Sequence, residues 1–305
     1  MEERMRKLIS IIFICLLAVS QLTSCNAIVN KVAVISLNGV IQIESGSSVF
    51  SGSSITPDDV RKQLERAQND FNVKAIIIQV NSPGGDVSAC QEIVYEMQKV
   101  KKPVVISMRS VAASGGYYIS AKANKIIALP STLTGSIGVI SEVPNLKGLF
   151  DKIGVSMQII KSGKYKDMYS GMGELTPEET AIVQKTTDEL YNEFVNIVAE
   201  GRHLDPGKVK ELATGQAYTG LEAKDLGLVD ELGGLDTAID EAAKLASIEK
   251  PLIEYYHPES PGIFGILFGG GNGSLLDFIG ARLLSAEQIA ALSVMSNSYP
   301  RFLYQ

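Results

Sequence analysis

Runs of apolar residues long enough for one strand recur through this chain, and each is followed by a segment with helical spacing. KVAVISLNGVI (31–41), VKAIIIQV (73–80), KPVVISM (102–108) and KIIAL (125–129) are continuous apolar stretches without polar alternation. That is the pattern of strands buried on both faces, as in a largely parallel sheet. Between them TPDDVRKQLERAQND opens with Thr56 as N-cap and Pro57 at the first helical position, and DVSACQEIVYEMQKV carries apolar residues at helical spacing. A helix is expected through ASGGYYISAKA, a short strand at SIGVI (136–140), a helix at NLKGLFDKIG and a strand at VSMQII (155–160). Strand and helix alternating with short turns predict an α/β fold of βαβ units.

After residue 175 the pattern becomes helical. TPEETAIVQKTTDELYNEFVNIVAEGR reads as one long amphipathic helix opening at Thr176 and Pro177. DPGKVKELAT is a shorter helix, and GLEAKDLGLVDELGGLDTAIDEAAKLA holds two more with glycine stops. Beyond residue 256 the chain turns Gly-rich, apolar and poor in charge. GIFGILFGGGNG reads as a loop, SAEQIAALSVM as a helix and the last ten residues as an extended tail.

The N-terminus is separate from the fold. A basic lead, an apolar run too short to span comfortably and the end LTSC (22–25) have the layout of an export signal. LTSC resembles a bacterial lipobox, in which Cys25 becomes the lipidated first residue; the other reading is an uncleaved anchor. The expected organisation is therefore a signal or anchor at 1–25, a domain at 31–255 and an extension at 256–305, held on the outer side of a membrane. Of the cysteines only Cys90 lies in the body, so no internal disulfide can form there. A net charge of −6 and the lack of a basic stripe argue against a nucleic-acid partner. No metal-ligand spacing occurs, and no cofactor is implied.

Three clusters follow expected strands. NSPGGDV (81–87) pairs glycines with a helix start, where exposed N–H groups suit an oxyanion or a phosphate. It is equally a tight strand-to-helix turn. AASGG places Ser114 at another helix start, where a serine is as readily a cap as a nucleophile. KSGKYKD (161–167) offers three lysines. The chain has only two histidines, His203 and His257, neither in a Gly-rich context. A nucleophilic serine could instead use a desolvated lysine, if burial carries its pKa from about 10.4 toward 7. These residues alone do not choose among Lys161, Lys164 and Lys166, or between Ser114 and Ser136.

The order NSPGG, AASGGYYIS, TGSIGVI, GKYKD, followed by EGRHLDP, YTG and GLVDELGGLD, resembles the signal peptide peptidase A family of membrane-bound bacterial serine peptidases over about residues 31 to 245. The resemblance implies the spiral of βαβ units of the Clp protease and crotonase superfamily, with a helical C-terminal part. It implies Ser114 as nucleophile, Lys166 as general base, Ser136 orienting the lysine amine, and the N–H groups of Gly85 and Gly115 as oxyanion hole. It implies apolar peptide substrates, remnant signal peptides among them. One departure is ATGQAYTG, with Gln216 where the family often has arginine. The length resembles the short form, which assembles as a homo-oligomer, a tetramer or octamer, and in which a subunit can borrow its lysine from a neighbour. The tail YPRFLYQ resembles tails of short members that lie in their own binding groove. Two alternatives on the same fold are a crotonase-like acyl-CoA enzyme, disfavoured by the export signal, and a catalytically inactive peptide-binding scaffold.

Overall fold

A computed structural model describes residues 29–44 and 54–257, and the backbone of 302–304. The N-terminal signal with Cys25 and the helix expected at SAEQIAALSVM lie outside the described residues.

The chain enters through β1 (Lys31–Asn38) and β2 (Val40–Ile41) and resumes at β3 (Ser54–Ile55) and α1 (Pro57–Asn69). Next come β4 (Val73–Ser82), β5 (Gly85–Asp86), α2 (Val87–Lys99), β6 (Val104–Ala113) and α3 (Gly115–Ser120). β7 (Lys125–Ala128), β8 (Leu133–Gly135), β9 (Ile140–Ser141) and α4 (Lys147–Ile153) follow. The long helix α5 (Pro177–Arg202), α6 (Pro206–Leu212), β10 (Ala217–Thr219), α7 (Gly220–Asp225), β11 (Glu231–Leu232), α8 (Leu235–Leu245) and β12 (Leu252–Tyr256) complete the body, and β13 (Phe302–Tyr304) lies in the tail.

The main sheet has the order β10-β8-β6-β4-β1-β12. All its pairings are parallel except β10 with β8. β6 is long enough to hold β7 along Val105–Met108 and then β8 along Val111–Ala113, so the sheet splits on that side. Burial on both faces explains the unbroken apolar runs. Ile76 and Ile78 face Val60 and Leu64 of α1, whereas Ile77 joins Val32, Val34 and Ala238 and Ala242 of α8. All three isoleucines are fully buried, each favouring the fold by roughly 1.5–3 kcal/mol.

The helix starts form as their sequences require. Thr56 accepts the Asp59 N–H at 3.2 Å. Thr176 and Glu179 form a reciprocal capping box, with bonds of 3.3 and 2.9 Å. Two local expectations are corrected and one strand is added. SIGVI is not one strand: β8 ends at Gly135, Ser136 takes φ 48°, and pairing resumes only at Ile140. VSMQII pairs with no strand among the described residues and leaves Val155, Met157, Ile159 and Ile160 exposed. LIEYY, which carried no expectation, is β12 and pairs in parallel with β1 at the sheet edge.

A second, smaller sheet of short strands, β3-β2-β5-β13-β9, crosses the carboxyl ends of the main strands. It carries the site.

Candidate active site

β4 and β6 run side by side, with Ser82 opposite Ala112. Each therefore delivers a glycine-rich turn to the same edge. The turns touch backbone to backbone. A Cβ added to Gly115 would lie 3.2 Å from the Gly85 nitrogen, 3.1 Å from the Gly84 Cα and 2.7 Å from the Cys90 sulfur. A Cβ on Gly85, at φ +152°, would collide with the Ile41 carbonyl, and one on Gly116 would come within 2.7 Å of the Ser82 carbonyl. Glycine is required at these positions by close approach, not only by turn geometry.

Ser114 joins β6 to α3 with φ 52° and ψ −116°, a conformation sparsely populated by any residue with a Cβ. Its N–H donates to the Gly135 carbonyl at 2.8 Å, and its carbonyl accepts from Tyr118 N–H at 2.8 Å. Its hydroxyl makes no capping bond, so the helix-cap reading fails. The Oγ is fully buried and has no hydrogen-bond partner among the described residues. An unsatisfied buried hydroxyl costs about 1–3 kcal/mol and such backbone strain a similar amount. Gln63 Oε1 and Arg202 Nε are also buried without a partner among the described residues, but of the three only Ser114 adds a positive φ to that cost.

Ser136 sits one register beyond, because Ala113 pairs with Gly135. Its N–H donates to the Gln216 carbonyl at 2.9 Å, and its half-buried hydroxyl donates to the Gly215 carbonyl at 3.1 Å. Gln216 therefore serves through its backbone. The structure thus brings Ser114, Gly85, Gly115 and Ser136 to one edge.

Lys166 stands apart in character. It lies on the irregular segment between α4 and α5, is exposed, and makes no hydrogen bond to Ser114. Its two neighbours are engaged. Lys161 pairs with Asp167, and Lys164 with Glu178, whose hydrogen bond holds the Lys164 pKa above its ordinary value. Among the described residues, Lys166 alone of the three has no ion pair, a distinction the sequence could not make.

A channel runs past the glycines. β13 lies between β5 and β9, antiparallel to both, with Tyr304 opposite Gly85 and Leu303 opposite Asp86 and Ile140. The space between β5 and β9 is one strand wide, and what enters it is held by main-chain hydrogen bonds. The Ser141 and Thr187 hydroxyls are bonded at 2.6 Å, tying β9 to α5.

Ser82 was missed in the sequence. It is fully buried, and its Oγ accepts the Gly84 N–H at 3.2 Å. Its carbonyl meanwhile packs on Gly116, so one residue braces both turns. Its place directly before Pro-Gly-Gly is a weak signal that could have found it.

A strained serine between two glycine turns, at the carboxyl edge of a split parallel sheet, defines the Clp protease-like class of α/β fold. The family model of Clp protease matches residues 41–134, and that of peptidase family S49 matches residues 96–249. An Enterococcus faecium protein named as a signal peptide peptidase SppA is 36% identical over 265 residues, 86% of this chain and 76% of that one. Protease 4 of Salmonella typhi is 37% identical over 264 residues, 86% of this chain and 41% of its own length. Serine protease SPPA, chloroplastic, of Arabidopsis thaliana is 35% identical over 80% of this chain and 37% of its own. The chain belongs to peptidase family S49.

Proposed function

We propose that this peptidase is a membrane-attached serine endopeptidase that degrades remnant signal peptides and other extended apolar segments, with Ser114 as nucleophile and Lys166 as general base. The observation that carries this reading is the Ser114 hydroxyl, buried, strained and without a partner between two glycine turns. The relatives named as a signal peptide peptidase and a serine protease support the substrate class and the nucleophile type.

In the proposed reaction a neutral Lys166 amine takes the Ser114 proton as Oγ bonds to the scissile carbonyl carbon. The oxyanion accepts hydrogen bonds from the N–H groups of Gly85 and Gly115. The tetrahedral intermediate collapses as the Lys166 ammonium returns its proton to the leaving amine, and water then releases the acyl group by the same route. Ser136 orients the amine. A lysine in bulk water is protonated at neutral pH, so the exposed segment must be covered before it can act. A second copy seated on Val155, Met157, Ile159 and Ile160 would cover it, which favours an assembled homo-oligomer whose sites are shared between subunits.

Among the described residues no helix is long and apolar enough to cross a membrane. Attachment is assigned to the N-terminal segment, through lipidated Cys25 or an uncleaved anchor, and mass spectrometry of the mature N-terminus distinguishes them. The tail strand occupies the channel that an extended substrate needs. Deleting residues 296–305 should leave activity equal or higher, and a folded, assembled protein that loses activity would count against this role.

The nucleophile is tested with a fluorophosphonate probe. The full chain should label at Ser114 and lose labelling in Ser114→Ala. An unlabelled but folded and assembled protein would favour the inactive scaffold.

A further inference from the structure

The three lysines of the segment after α4 are not equivalent, and the two that are paired have a role of their own. The backbone there folds into successive turns: the Lys166 N–H donates to the Gly163 carbonyl and the Met168 N–H to the Tyr165 carbonyl, both at 3.2 Å. Lys161 Nζ crosses the loop, donating to the Lys164 carbonyl at 3.0 Å and pairing with Asp167. Glu178, in the first turn of α5, takes Lys164 Nζ on one carboxylate oxygen and the Tyr165 hydroxyl on the other. The Lys164 ammonium also lies 5.0 Å from the centre of the Tyr165 ring.

Lys166 therefore sits between two carboxylates, each engaged by a different lysine. Asp167 follows it in the chain, and Glu178 is bonded to the side chains of the two residues before it. These bonds hold both acids below their ordinary pKa, Asp167 through Lys161, and Glu178 through Lys164 and then Tyr165. Glu174 and Glu179 face Asp167 across a hollow that Lys166 does not line, and Glu179 is engaged in the capping box with Thr176. Exposed ion pairs add little to stability, but they decide which ammonium a carboxylate attracts.

A carboxylate within about 4–6 Å of an amine favours its protonated form. A general base needs the neutral form. We propose that Lys161 and Lys164 are positioning residues that engage Asp167 and Glu178 and so keep both carboxylates off the Lys166 amine. The inference rests on Lys166 as the proposed base, and it gives the other two lysines of the cluster a function in the same reaction.

Competitive acetylation of the full-length, assembled protein with trace acetic anhydride, read at Lys166 by mass spectrometry across pH, titrates this amine without turnover. Lys164→Gln frees Glu178, which the Tyr165 hydroxyl still holds beside Lys166, so the titration should move up by about 0.5 to 1 pH unit. Glu178→Gln breaks the same contact from the other side but leaves an unpaired cation, so the titration should move down. The double variant should lie between the two. A contact that only holds the loop in shape predicts the same change from both single variants, so shifts in one direction, or none, would overturn the proposal. Lys161→Gln and Asp167→Asn repeat the comparison on the second pair if a variant fails to assemble. The acidic limb of kcat/KM on a model apolar peptide should follow the amine, several-fold in rate at neutral pH. A limb that stays in place while the amine shifts in opposite directions would uphold the proposal and remove Lys166 as the base.

Discussion

The paired turns at 81–87 and 111–118 and the lysine segment at 154–176 are built in opposite ways. The turns are buried and over-determined. Gly85 is pinned beneath the Ile41 carbonyl, Gly115 against Cys90, and Ser82 braces both. The lysine segment has no strand pairing among the described residues, shows its apolar side chains to solvent, and is held by exposed ion pairs. The serine side of the proposed site is therefore fixed by the fold of the chain, whereas the proposed lysine stands on an exposed surface.

The largest effect expected from breaking this contrast is at Ser114. Ser114→Ala should lower peptide cleavage by about 10⁴-fold or more. It also removes an unsatisfied buried hydroxyl, so the unfolding midpoint should hold or rise. Cleavage of a model apolar peptide and a thermal melt read the two together, and a variant that is both inactive and strongly destabilised would point to a structural serine. Gly85→Ala comes next. Its Cβ has no room beside Ile41, so activity should fall by about 10²-fold or more, the scale of a lost oxyanion donor. Unlike the Ser114 variant, it should melt earlier.

On the other side of the comparison, stability and activity should separate in a different way. Ile160 is 91% exposed, so Ile160→Asp should change the stability of the isolated chain by less than about 0.5 kcal/mol. If the segment is covered by a second copy, the same change should cost the larger particle, and activity with it; size-exclusion chromatography with light scattering and the peptide assay read both. The smallest effect is expected at Lys164. Its exposed ion pair with Glu178 is screened by solvent, so Lys164→Ala should keep activity within several-fold of the parent. A complete loss there, with Lys166→Ala still active, would move the base to position 164.

What the sequence made legible follows the same division. The buried strands were readable because burial on both faces demands unbroken apolar runs, and the starts of α1 and α5 because Thr-Pro caps are local chemistry. Strands of two residues, such as β5 and β9, have no periodicity to read; they exist because a partner lies alongside. VSMQII misled for a related reason: its β-branched and apolar residues suit a strand, but exposed apolar residues suit an interface equally. Ser114 was readable as a candidate only. Its left-handed φ and its vacant hydroxyl depend on the distant Gly135 carbonyl and on the packing of β4 against β6, which no local pattern encodes.

Co-expression of Ser114→Ala and Lys166→Ala chains, carrying different tags and purified together as a mixed assembly, tests the divided site most directly. Each variant alone should be inactive. The mixed assembly should regain cleavage, because the intact serine of one chain meets the intact lysine of another. A mixed assembly that forms stably and remains as inactive as its parents would contradict the account.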